Sequence, residues 1–177
     1  MRRFSWLAPL LIAALFSGGS RGADGPAPEI IPGGQWFNSK PVTLAGLRGK
    51  VVIVNIWVHS CINCHNSLPT LKKWYAAFKA QGLEIVGVHT PEFPSDRDPQ
   101  ALERSLRADG VTWPVVQDND SATWRAYSNQ FWPAFYLIDR RGVIRMMHAG
   151  EISTRYPDAI PGLEAKLKAL LAENASR

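Results

Sequence analysis

Cys61-Ile62-Asn63-Cys64-His65 contains the only two cysteines of a 177-residue chain, and its residue types support two incompatible chemistries. Read whole, Cys-x-x-Cys-His is the attachment signal of a c-type haem. Read without His65, Cys-x-x-Cys is a dithiol that exchanges disulfides with other proteins. A zinc site and a structural disulfide are the quieter readings. All thiol chemistry of this chain is confined to these five positions, so the surrounding elements must decide.

Val51-Val52-Ile53-Val54-Asn55-Ile56-Trp57 is a near-continuous apolar, β-branched run, the pattern of a strand covered on both faces. Cys61 follows four residues past Trp57. Beyond it, Leu68, Leu71, Trp74, Tyr75 and Phe78 recur at helical spacing, with Lys72, Lys73 and Lys79 on the other side and Gly82 as a stop. Pro69 falls near the expected helix start and predicts a kink. Leu83 to His89 is a second buried-strand run. Asp98-Pro99 starts a helix that Gly110 ends. Val115-Val116-Gln117 is a short strand, and Asp120 or Ser121 is expected to cap a short helix carrying Trp124 and Tyr127. Ala134–Ile138 and Val143–Met147 flank the turn Asp139-Arg140-Arg141-Gly142 as a hairpin. Leu163, Leu167, Leu170 and Leu171 mark a last amphipathic helix. The alternation predicts an α/β fold, with a parallel sheet, right-handed crossovers and an antiparallel closing hairpin. The cysteines fall just beyond the C-terminal end of a strand and at the start of a helix, the usual place for a site in such a sheet.

A helix N-terminus presents unpaired N–H groups and the positive end of the helix dipole, both favouring an anion. A Cys61 thiolate would be stabilised there, below the free value of about 8.5. The thiolate is the attacking species in disulfide exchange, and Cys64, one turn on, is placed to displace a mixed disulfide from Cys61. A haem would require its own apolar pocket and a further ligand. His148, Met146 and Met147 are the candidates, but they sit in an expected strand, and every other apolar run is committed to sheet or helix. The dithiol is the favoured reading.

VVIVNIWVHSCINCHNSLPTLKKW resembles the active-site region of the thioredoxin superfamily. GVHTPEF, from Gly87, and DNDSATWRAYSNQFWPAFYLID, from Asp118, narrow the likeness to TlpA-like extracytoplasmic thiol–disulfide oxidoreductases related to the C-terminal domain of DipZ. The resemblance implies a thioredoxin-like fold, a central mixed sheet flanked by helices, with an N-terminal extension. It assigns Cys61 as nucleophile, Cys64 as resolving thiol, Trp57 as the tryptophan ahead of the motif, and Pro133, after Trp132, as a cis-proline facing the dithiol and docking substrate. It implies an enzyme without a cofactor or metal, acting as a monomer on exported protein thiols and disulfides, more often as a reductase, with a membrane thiol-reducing partner.

The departures from that pattern matter. Asn55 stands where thioredoxins carry a buried acid, and Ser67 where many TlpA-like proteins carry a glutamate. Such an acid handles the proton of the resolving thiol. His59, His65 and Glu92 are the nearby candidates in sequence for that task. A peroxidase of the peroxiredoxin type shares the fold, but its Thr-x-x-Cys pattern is missing, because Val58 stands three before Cys61.

The N-terminus reads as a secretory signal over residues 1–22. Arg2-Arg3 is basic, Trp6 to Phe16 is apolar and too short to span a bilayer comfortably, and small residues follow. An uncleaved anchor is the alternative. Residues 23–35 (GPAPEIIPGG within them) read as a linker, and 36–177 as the thioredoxin-like domain. Export places the protein in the periplasm or another extracytoplasmic space, where a disulfide persists. The formal charge of +5 includes Arg2, Arg3 and Arg21; without them 17 basic residues face 15 acidic ones. With no basic block or basic-aromatic stripe, nucleic acid is not an expected partner.

Overall fold

The computed structural model describes residues 25–173. The signal read at residues 1–22 lies outside them. Among the described residues no helix is long and apolar enough to cross a membrane.

Strands β1 (Trp36–Phe37), β2 (Val51–Trp57), β3 (Leu83–His89), β4 (Val115–Gln117), β5 (Ala134–Ile138) and β6 (Ile144–Ala149) form one sheet in the order β1-β4-β3-β2-β5-β6. β2, β3 and β4 run parallel; β5 pairs antiparallel with β2, β6 with β5, and β1 with β4. This is the expected thioredoxin-like mixed sheet, with β2 at its centre. Helices α1 (Ile62–Phe78), α2 (Pro99–Ala108), α3 (Ala122–Ala126) and α4 (Ala159–Ala172) complete the architecture.

Strand periodicity divides the core in two. Val51, Ile53 and Trp57 face a layer built from α1, α2 and α4, with Leu68, Leu71, Trp74, Leu102, Leu106, Leu163 and Leu167 buried in it. Val52, Val54 and Ile56 face the other side, covered by Ile30, Leu44 and Tyr127. Each such side chain contributes about 1.5–3 kcal/mol when fully buried, so both faces of β2 hold its end rigidly under the cysteines.

Three expectations change. α1 begins at Ile62, so Pro69 is interior and not near the start. Its missing N–H leaves the His65 carbonyl without an intrahelical donor. Ser121 is the N-cap residue of α3, as one of the two expected, but its side chain makes no capping bond; the buried Asp118 carboxylate instead accepts from Thr123 N at 3.0 Å and Trp124 N at 2.9 Å. Asp118 directly follows β4, so the strand end sets the helix. β6 runs on past Met147 to Ala149.

The segment read as a linker, described from residue 25, runs along the domain. Ala27 N donates to Gly142 O at 2.9 Å, and Tyr127 OH donates to Pro28 O at 2.9 Å. Ile31 and Thr123 exchange bonds of 2.8 and 2.9 Å, and the Glu29 carboxylate accepts from Leu44 N and Ala45 N. Proline and glycine content signals irregular backbone, and irregular backbone can still be fastened down.

Candidate active site

Cys61 is the N-cap of α1, with extended φ −90° and ψ 115°, and its sulfur accepts from Cys64 N at 3.3 Å. Both cysteines carry free thiols; Cys61 is half-buried and Cys64 buried. The asymmetry sets their ionisation. The Cys64 thiol donates to Cys61, and the Cys64 and Asn63 backbone amides add to it; together they outweigh partial burial and hold the Cys61 thiol down at about 6. Burial, and then donation to Cys61, push the Cys64 thiol up. One sulfur is a half-buried thiol with a lowered pKa and the other a shielded thiol with a raised one, the asymmetry that disulfide exchange uses.

The loop between β2 and α1 is fastened by histidines. His89, fully buried at the end of β3, presents Nε2 to His59 N at 3.2 Å and to His59 Nδ1 at 2.9 Å. The two rings stack with centroids 5.1 Å apart. Burial, then the neighbouring His59, lower His89 to about 3. It is therefore neutral, and its Nε2 accepts from the His59 backbone N–H. His59 Nε2 lies 3.9 Å from the buried Asp96 carboxylate. His65 turns away from the sulfurs: its Nε2 is 2.6 Å from the His59 carbonyl and its Nδ1 3.1 Å from Asp109 Oδ2. A haem ligand must offer one of those nitrogens to iron, and both are engaged with oxygens.

Trp57 packs edge-on to His89 at 5.6 Å. Its indole fits because Gly87 lacks a side chain: a Cβ there would stand 3.1 Å from Trp57 Nε1 and 3.0 Å from Val115. Trp132 donates from Nε1 to Thr90 O at 3.0 Å and lies against Trp124, with centroids 4.2 Å apart. The Trp132–Pro133 bond is cis, in agreement with the sequence reading, and Pro133 O accepts from Gly150 N at 2.8 Å. Cys61 and Trp132 both border the core cluster on the α1 side. Thr90 joins the loops: its N–H donates to Trp57 O at 3.0 Å and its hydroxyl to Asp118 at 3.0 Å.

The positions lacking the usual acids have structural roles. Asn55 Nδ2 donates to Ala134 O at 3.3 Å, across to β5. Ser67 donates to Asn63 O at 2.8 Å and accepts from Ile152 N at 3.0 Å, tying α1 to the chain after β6. Glu92 is exposed, and its charge opposes ionisation of both thiols as a lesser influence. Its own N–H, like that of Phe93, donates to Asp96 Oδ2. Asn66 Nδ2 donates to the buried Glu151 carboxylate at 3.1 Å. A cleft of about 540 Å³ opens here, lined by Asn63, His148, Glu151, Arg155 and Tyr156. Among the described residues no cluster of histidine, cysteine and carboxylates suits a metal.

Sequence reasoning placed Cys61, Cys64, Trp57, His59 and Trp132 around one end of the sheet. It missed His89, Asp96, Thr90, Asp118 and Asp109. His89, Thr90 and Asp118 lie at or just beyond strand ends within the GVHTPEF and DNDSATWRAYSNQFWPAFYLID stretches, where polar residues interrupt apolar runs, while Asp96 falls beyond both, in the turn Pro94–Arg97. Asp109 carries no such signal; only packing of α2 on α1 brings it to His65.

The AhpC/TSA family profile matches residues 27–147. The protein DipZ of Mycobacterium bovis is 42% identical over 130 residues, 72% of this chain. The chain spans only 19% of DipZ. The thiol-disulfide oxidoreductase YkuV of Bacillus subtilis is 30% identical over 149 residues, covering 84% of this chain and 95% of YkuV. Among solved structures, a thiol-disulfide isomerase from Corynebacterium glutamicum superimposes with a TM-score of 0.70 at 27% identity, covering 84% of this chain and 98% of that one.

Proposed function

The chain belongs to the AhpC/TSA family, and from that membership we propose that it is a thiol–disulfide oxidoreductase acting on exported proteins, in the reducing direction. One observation carries the reading: a half-exposed Cys61 thiol lowered to about 6 beside a buried Cys64 thiol that is raised. The Cys61 thiolate attacks one sulfur of a substrate disulfide, forming a mixed disulfide and releasing the other substrate sulfur as a thiolate that takes a proton. Cys64 gives up its proton and attacks Cys61. The second substrate sulfur leaves, and two electrons have passed from the dithiol to the substrate. Water or an exposed group accepts the Cys64 proton, and Glu92 and His59 are the groups we assign to that transfer. No cofactor enters the scheme.

The reducing direction follows the TlpA-like resemblance of the active-site stretch. The signal read at residues 1–22 supports export to an extracytoplasmic space. A membrane thiol-reducing partner would restore the dithiol of the monomeric enzyme. Trp132 and Pro133 would line the substrate path.

Trapping tests the reading. Cys64→Ser should hold exported proteins as mixed disulfides on Cys61, released by dithiothreitol, and Cys61→Ser should hold none. Equal capture by the two variants, or none by either, sinks it. Equilibration with glutathione should place the potential below about −200 mV; a value near that of DsbA, about −120 mV, would reverse the direction.

A further inference from the structure

We propose that the cleft beside Asn63 is a specificity subsite, which seats a lysine or arginine side chain of the substrate segment next to the cysteine under attack. The proposal rests on the exchange chemistry above and narrows its substrate class. Glu151, Tyr156 and Asp158 are the residues that set the preference.

Position is the first argument. Asn63 stands between the two cysteines and lines the cleft, so a segment joined to Cys61 runs close beside it. Gly150, also in the lining, donates to Pro133 O at 2.8 Å, which ties the cleft to the cis-proline turn. The chain that follows β6 is fastened to α1. Glu151 accepts from Asn66 Nδ2 at 3.1 Å and from Ser153 Oγ. Ile152 N donates to Ser67 Oγ at 3.0 Å, and Thr70 Oγ1 donates to Ile152 O at 2.8 Å. The cleft is therefore preformed, and its volume of about 540 Å³ has room for a long side chain.

Chemistry selects the occupant. Pro157 and Ala159 give the lining apolar surface, and Glu151 and Asp158 give it two carboxylates against one cation, Arg155. Lysine and arginine match this mixture, since each carries a charged head on an apolar stem. Donation from Ser153 holds the Glu151 carboxyl below its ordinary value, so its charge is present at neutral pH. Asp158 is the N-cap residue of α4 yet makes no capping bond, which leaves its carboxylate for a ligand. Tyr156 is 55% exposed, and its ring offers a face to a cation. His148 Nε2 is buried without a partner among the described residues, and a polar head in the cleft would give it one. An anion fits worse. The start of α4 has its first donors engaged: Ala159 N and Ile160 N donate to Tyr156 O and Pro157 O, and Pro161 has no N–H.

Affinity labelling of Cys61 tests the subsite without a substrate disulfide. The reduced full chain is mixed near neutral pH with short peptides iodoacetylated at the N-terminus. One residue of each peptide is lysine, norleucine or glutamate, set at increasing distance from the reactive group by glycine spacers. The Cys61 sulfur bonds to the acetyl carbon and iodide leaves; mass spectrometry times the step. Each rate is divided by the same protein's rate with iodoacetamide. At a preferred spacing lysine should react about threefold or more faster than norleucine, the scale of one partly exposed ion pair, and glutamate slower. Asp158→Asn and Glu151→Gln should each shrink the lysine advantage, and Arg155→Gln should enlarge it. If Glu151→Gln does not fold, the other two variants carry the comparison. Equal rates for the three peptides at every spacing overturn the proposal. So does a lysine advantage independent of spacing, which reports a general field, or one that neither Asp158→Asn nor Arg155→Gln moves. Failed trapping beside a spaced lysine preference would sink only the function, and successful trapping without that preference only this subsite.

Discussion

Cys61 owes its ionisation first to the Cys64 thiol and then to backbone amides of its own turn. Removing that donor is the sharpest single-residue test. Cys64→Ala should raise the Cys61 value, and Cys64→Ser, which keeps a hydroxyl donor, should raise it less; thiolate absorbance against pH checks the order. The lowered value also links to stability. A depressed folded-state value contributes stability that is complete above the unfolded value and lost as pH falls through about 6. Relative to Cys61→Ser, reduced protein should therefore gain stability between about pH 6 and 9, read as denaturation midpoints. His89 follows the same sign at lower pH. Its neutral form is favoured by burial, so its contribution is present above the unfolded value near 6.5 and lost towards about 3. His89→Gln, which still offers an acceptor to His59, should flatten the acid limb of a stability–pH profile over that window.

Elements meet the site through their ends. β2 delivers Trp57, β3 delivers His89 and Thr90, β4 delivers Asp118, and α1 starts at the nucleophile. Asp118 joins three of these: it accepts from Thr90 Oγ1, Thr123 N and Trp124 N. Burial raises its pKa while these donors lower it. Asp118→Ala removes a helix cap and strands a buried hydroxyl and two amides. It should cost about 2–3 kcal/mol, measured by denaturation of the reduced protein. Because Thr90 O also holds Trp132, tryptophan fluorescence of the folded variant should change as well.

At the scale of the molecule, the N-terminal stretch is part of the folded unit. Ile30 is buried, and the Glu29, Pro28 and Ile31 contacts fasten residues 27–31 to the sheet face opposite α1. A chain trimmed to begin at Trp36 should lose about 3 kcal/mol or more, from one buried isoleucine and several hydrogen bonds. An unchanged denaturation midpoint would show that the stretch is a passive tether after all.

Local pattern determined much of this protein from sequence alone. A near-continuous β-branched run marked β2, and a second apolar run marked β3, both to the residue, because a strand buried on both faces admits few polar side chains. Cys-x-x-Cys at a strand–helix junction identified the reactive sulfurs, since helix ends favour anions wherever they occur. Aromatic-Pro-Ala before a strand run marked Pro133. The tertiary structure decided the rest, because those features join residues far apart in the chain. His65 faces Asp109 only once α2 packs on α1. The Glu29 carboxylate finds its donors only when the N-terminal stretch lies across the sheet. Asp118, rather than the nearer Asp120 or Ser121, supplies the capping bonds of α3 because β4 aims it there. The same sequence signal, a polar residue beside a helix start or a ring after a cysteine, fits several partners, and packing chooses among them.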